Sequence, residues 1–208
     1  MQTVKFRKLI DGDREDYEFL EECEITYASQ VGARLLETLE KLESAMSGFQ
    51  VTRLEHCLQT ATRAWRDGAD TDWVVSALLH DIGDIHSPYD HDEYAALILR
   101  PFVREQCTWT VKQHGEFQKF YYAEQMGKDP NTRERHRDNP YFDDCAEFCE
   151  RWDQQAFDPE YQSLPLDFFR PLVAEVFARV PYDEAVIKAG ARKPLVDQRV
   201  AKSRLQAA

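Results

Sequence analysis

Residues 73–84 read WVVSALLHDIGD, an apolar helical run that ends by presenting His80 and Asp81 side by side. The Leu, Val and Ala residues around that doublet offer no partner for an ionised carboxylate, and burying one unpaired costs more than a helix recovers. A cation therefore has to meet Asp81, and imidazole beside carboxylate suits zinc, iron or manganese. Taken alone, the doublet leaves a plainer alternative open, in which His80 caps the helix and Asp81 with Gly83 begins a turn.

Upstream, the stretch from about Val51 to Arg66 repeats Leu54, Cys57, Leu58, Ala61 and Trp65 at the helical period and ends at Asp67-Gly68-Ala69-Asp70. His56 lies beside that stripe, where a lone histidine is ordinarily a satisfied core or boundary residue. Further back, Arg14 to about Ala45 is rich in Glu and Leu, with Leu35, Leu36, Leu39, Leu42 and Met46 on one face, and Ser47-Gly48 breaks it. Residues 1–13 read as an arm or edge with a turn at Asp11-Gly12-Asp13. Downstream, a polar loop contains His86 and His91, and His91 opens a helix running through Leu99. The segment 102–113 leads into His114, and 117–126 continues as helix. Residues 131–140 form a charged connection, and Tyr141 to Trp152 forms a helix that delivers Asp153. Two stretches, about Leu166 to Arg179 and Tyr182 to Ala191, close the fold, and the last residues, KSRLQAA, read as frayed. With no strand pattern, repeat or glycine-rich phosphate loop, the fold class is all-α, a helical bundle. Residues 1–45 are expected to form an N-terminal arm and helix packed on a core unit of residues 46–208.

The 208 residues carry a net charge of −12, which argues against nucleic-acid binding, since that needs a basic footprint. Any anionic ligand must be held by local donors. The five cysteines, Cys23, Cys57, Cys107, Cys145 and Cys149, form no CxxC pair, and no apolar signal segment opens the chain. No apolar run approaches the roughly 20 residues a membrane span requires. These features point to a reducing cytoplasm.

The order His56, His80-Asp81, His91, His114, Asp153, carried by the phrases LEHCLQTA, ALLHDIGD and CERWD, resembles the HD-domain superfamily of metal-dependent phosphohydrolases over roughly residues 46–160. His91 and His114, between the doublet and the last Asp, further resemble the second metal site of its mixed-valent di-iron oxygenase branch. By that resemblance His56, His80 and Asp153 hold one iron, His91 and His114 the other, and Asp81 bridges a Fe(II)/Fe(III) pair, with O2 as co-substrate. One shared carboxylate satisfies both oxygens, and neutral imidazoles leave positions open. His86 and His136 match no family position and are read as loop residues.

Three departures shape the expected substrate. Asp84 stands where the branch carries a basic, substrate-reaching residue. Met46 and Phe49 stand where phosphonate-cleaving members carry Tyr and Glu, and Gln118, with Lys119 beside it, stands where they carry Lys. A quaternary ammonium has no N–H to donate and prefers a soft or aromatic wall. The resemblance therefore implies a small organophosphonate, 1-hydroxy-2-(trimethylammonio)ethylphosphonate, converted to glycine betaine and phosphate. Met46 and Phe49 would wall the ammonium group with Asp84 contributing charge, and Lys112, Gln118 and Lys119 are candidate phosphonate donors. The same ligands would also serve a phosphohydrolase acting on a phosphate ester or nucleotide. A third alternative is a catalytically silent HD module that binds a ligand or partner.

Overall fold

The computed structural model describes residues 2–207, which form nine α-helices with no strand among the described residues. In chain order these are α1 (Arg14–Ser29), α2 (Val31–Glu40), α3 (Arg53–Arg66), α4 (Thr71–Leu79), α5 (His91–Leu99), α6 (Glu105–Tyr122), α7 (Phe142–Phe148), α8 (Leu166–Phe177) and α9 (Gln198–Ala207). The all-α expectation holds.

Helix α4 is the centre. Every residue from Asp72 to Leu79 is buried, as befits a helix apolar on all sides. Asp70 caps it by accepting from the Trp73 amide at 3.2 Å. The polar end is balanced by buried charge: Arg104 donates to Asp70 and Asp72 at 2.6 and 2.9 Å, and Arg179 donates to Asp72 at 2.7 Å. Helix α3 begins under a Thr52 cap, whose hydroxyl accepts from the Glu55 amide at 3.1 Å. It packs along α4, while α6 packs between α5 and α7. Trp73, Leu78, Leu79, Ile82, Phe117, Phe148, Trp152 and Phe169 are all fully buried between these helices. Cys57, Cys107, Cys145 and Cys149 are buried with them as free thiols.

Several boundaries differ from expectation. The N-terminal helical stretch is two helices, because the chain turns at Gln30, and a 3-10 turn at Lys41–Ser44 ends it. Residues 1–13 hold a 3-10 turn at Leu9–Asp11 and no strand among those described. The segment 182–191 is a series of turns rather than a helix. The C-terminal residues, expected to fray, form α9, with Ala208 outside the described residues. Ala201 is buried, and Arg204 donates to the Trp65 and Ala69 carbonyls at 2.6 and 3.1 Å. Gly68, at φ +82°, permits that docking, since a Cβ there would overlap the Asp197 carbonyl. No helix among the described residues is long and apolar enough to cross a membrane.

Candidate metal centre

Five local structures aim side chains at one point. His56 sits one turn into α3, His80 caps the C-terminus of α4, and Asp81 follows in the bridge region at φ −106°, ψ 10°. A 3-10 turn at Ile82–Ile85 then brings the chain back so that His91, the first residue of α5, lies against Gly83. That approach needs glycine, because a Cβ at position 83 would overlap the backbone of His91. His114 comes from the middle of α6. Asp153 comes from a π-helical turn, Cys149–Asp153, that continues α7 and is closed by the Gln154 amide on the Cys149 carbonyl at 3.0 Å. Trp152 Nε1 and Arg151 Nε, donating to Asp67 Oδ2 at 2.9 and 3.0 Å, fix that turn.

The structure thus brings His56, His80, Asp81, His91, His114 and Asp153 together. Asp81 Oδ2 lies 3.2 and 3.4 Å from Nε2 of His56 and His80, and those two nitrogens lie 3.2 and 3.4 Å from Asp153 Oδ1. Asp81 Oδ1 lies 3.3 and 3.2 Å from Nε2 of His91 and His114. All six are buried except His91, whose side chain is 24% exposed and marks the open edge.

The donor set fits a metal. Nδ1 of His56, His80 and His114 lies 3.0, 2.8 and 2.6 Å from the carbonyls of Ala156, Ala77 and Val111. A carbonyl only accepts, so each Nδ1 holds a hydrogen and each Nε2 can turn a lone pair inward. Protons alone do not resolve the cluster. The carboxylates outweigh burial and raise His56 and His114 to about 9. Yet Nε2 of His56 and Nε2 of His80 are 3.0 Å apart, a separation with room for one hydrogen. Both oxygens of the fully buried Asp153 lack a hydrogen-bond partner, a costly omission unless a cation takes them. Burial would raise the Asp153 carboxyl, but His80 and His56 beside it hold it below the usual carboxylate range. Nitrogen and carboxylate ligands without a thiolate suit iron, manganese or zinc.

Two neighbours were not anticipated from the sequence. Arg53, on the first turn of α3, donates through Nε to Asp84 at 2.7 Å and through Nη2 to Asp81 Oδ2. Phe157 stacks on the His56 ring at 4.4 Å between centroids and meets Phe49 at 4.8 Å. The spacing of Arg53 three residues before His56, one helical turn, is the clue that sequence did contain.

The expected substrate residues fare unevenly. Asp84 is engaged by Arg53, with Oδ1 3.7 Å from His91 Nδ1. Phe49 is half-exposed against Phe157, and Met46 is exposed. Lys112 pairs with Glu93 at 2.9 Å. Lys112 and the exposed Lys119 line a cleft of about 750 Å3 beside His91, while Gln118 is half-buried a turn beyond His114. His86 lies against Tyr94 and His136 against Glu116, both apart from the cluster.

Residues 53–140 match the family described as HD domain. Over 78 residues the chain is 36% identical to [1-hydroxy-2-(trimethylamino)ethyl]phosphonate dioxygenase (glycine-betaine-forming) of Leisingera caerulea, a match covering 32% of this chain and 40% of that protein. The chain therefore spans less than half the length of that relative in the match. The helical architecture and the converging His and Asp side chains agree with these similarities, an HD-domain match over residues 53–140 and a partial likeness to a phosphonate dioxygenase.

Proposed function

We propose that this chain is a di-iron oxygenase that cleaves the carbon–phosphorus bond of a 1-hydroxyphosphonate, with 1-hydroxy-2-(trimethylammonio)ethylphosphonate as substrate and glycine betaine and phosphate as products. The observation that carries this reading is the placement of Asp81, whose two oxygens face two different imidazole pairs. One carboxylate between two cations takes that posture. The similarity to the glycine-betaine-forming dioxygenase supports the choice of reaction.

His56, His80 and Asp153 would hold one iron, His91 and His114 the other, with Asp81 shared. Bound there, iron supplies the reaction with dioxygen. One hydroxyphosphonate and one O2 account for every atom of one carboxylate and one phosphate. The protein orients and shields. The carbonyl contacts of His56, His80 and His114 fix their ring directions, and burial of all the ligands but His91 leaves one approach. Phe49 and Phe157 give adjoining aromatic faces to a trimethylammonium group, and the exposed Met46 is a further candidate for that wall. Lys112 and Lys119 meet an incoming phosphonate in the cleft beside His91, and Gln118, half-buried and outside that lining, is a further candidate donor.

The test is oxygen uptake by iron-reconstituted protein on addition of 1-hydroxy-2-(trimethylammonio)ethylphosphonate, with glycine betaine and phosphate appearing in equal amounts. Iron-replete protein that consumes no oxygen with hydroxyphosphonates, yet hydrolyses phosphate esters when loaded with manganese, would replace the oxygenase with a phosphohydrolase on the same ligands.

A further inference from the structure

We infer that Arg53, clamped by Asp84, is the anion seat of this centre, binding a tetrahedral phosphorus oxyanion at the open edge beside Asp81. The inference rests on the metal-centre reading above and adds a residue to it. Arg53 sits beside the metal cluster, bonded to both Asp81 and Asp84. Its side chain is 9% exposed and Asp84's is 12%, between the buried ligands and the 24% exposed His91. The guanidinium divides its donors: Nε holds Asp84 Oδ2 at 2.7 Å, and Nη2 reaches Asp81 Oδ2.

Asp81 Oδ2 has a competing claim on it. The same oxygen faces Nε2 of His56 and Nε2 of His80 at 3.2 and 3.4 Å, so an ion held among those groups draws its electron density. Such an ion would compete with Arg53 for Asp81 and would leave the bond from Arg53 to Asp84 in place, with the guanidinium on the other side of the Asp81 carboxylate. The Nη1 donors of Arg53, which neither Asp81 nor Asp84 takes, are left to meet an anion that also reaches the metal. A phosphonate or phosphate fits: its oxygens accept from the planar fork of arginine while another reaches the metal.

Asp84 thereby acquires a role that its charge alone hides. As a lone carboxylate it would repel the anion; as the partner of Arg53 it is a positioning residue, and it also stands 3.7 Å from His91 Nδ1. Arg53 further lies over the Phe49 ring at 5.8 Å, so the anion seat adjoins the aromatic pair of Phe49 and Phe157. Cation seat and anion seat side by side match a small zwitterion carrying both groups.

The experiment is calorimetric titration of inorganic phosphate, and separately of methylphosphonate, into the iron-loaded full chain without oxygen, with iron quantified in every sample. Arg53→Gln is expected to weaken both anions about tenfold to hundredfold at unchanged iron content. Arg53→Lys, which keeps the charge and loses the fork, is expected to recover part of that loss and covers the case in which the glutamine variant folds poorly. Asp84→Asn is expected to weaken the anions by a smaller factor. Equal affinity in wild type and Arg53→Gln at equal iron content would overturn the inference, as would wild-type protein that holds iron and binds neither anion. Anion binding that depends on Arg53, in protein that takes up no oxygen with hydroxyphosphonates, would instead remove the oxygenase and leave the seat in place.

Discussion

At the scale of the residue, Asp81 sets the stakes because both of its oxygens are committed to different neighbours. Asp81→Asn keeps the shape but offers only one carbonyl oxygen, with an amide that donates into nitrogen lone pairs. It is expected to lower iron from two per chain to well below one, measured by metal analysis after anaerobic reconstitution. His114→Ala, which strips one imidazole from the Oδ1 side alone, is expected to leave close to one. An Asp81→Asn variant that still holds two irons would show that the carboxylate is not shared. The six converging residues could be read from sequence because their order along the chain resembles a known family pattern; one by one, His56 and the His-Asp doublet left plainer readings open. Arg53 and Phe157 could not: Arg53 meets Asp84 across 31 positions and Phe157 meets His56 across 101, and no local periodicity encodes a pairing at that distance.

At the scale of the element, the joint between the 3-10 turn at Ile82–Ile85 and α5 decides whether a second ion can be held. Gly83→Ala puts a methyl group onto the His91 backbone, so the start of α5 must move away from Asp81. The expected result is loss of about half the bound iron, with the far-UV helical signal retained; full iron content would show that the joint yields without cost. The opposite end of α4 makes a different prediction. Burial would raise the Asp70 carboxyl, but the Arg104 hydrogen bond and charge, with Lys193, outweigh it and lower the pKa. A carboxylate lowered in the folded state contributes stability that is fully present above its unfolded value, about 3.9, and is lost as pH falls through the folded value. Asp70→Asn is therefore expected to be less stable by about 1.5–3 kcal/mol near neutral pH, with the difference from wild type closing as pH falls below about 4 in denaturant titrations. A constant difference across that range would place the effect in the helix cap instead. Local signals located α3 and α5 well, since an apolar stripe placed the first at about Val51 to Arg66 and His91 was read as opening the second. They failed at 182–191, where an apolar pattern without enough partners stays in turns, and at Cys149–Asp153, where a one-residue shift in hydrogen bonding aims Asp153.

At the scale of the whole molecule, metal site and hydrophobic core are separable contributions to stability. The buried cluster of Leu39, Leu42, Trp73, Leu78, Phe148, Trp152 and Phe169 is built on and around α4 and contains none of the candidate metal ligands. This is why the all-α class could be read from apolar spacing alone, while the number of ions could not. A small zinc-dependent domain unfolds when its metal is removed because it has little else; this chain has an ample core. Chelation is therefore expected to leave the helical signal at 25 °C unchanged. It removes only the binding contribution, about 2.7 kcal/mol per ion when free metal stands at a hundred times its dissociation constant, and so, for two ions, lowers the melting temperature by about 10–20 °C for a domain of this size. Calorimetric scans with and without chelator check both halves at once. Complete unfolding on chelation would mean that the ligands, and not α4 and its neighbours, hold the bundle together, whereas an unmoved transition would mean that no metal resides among them.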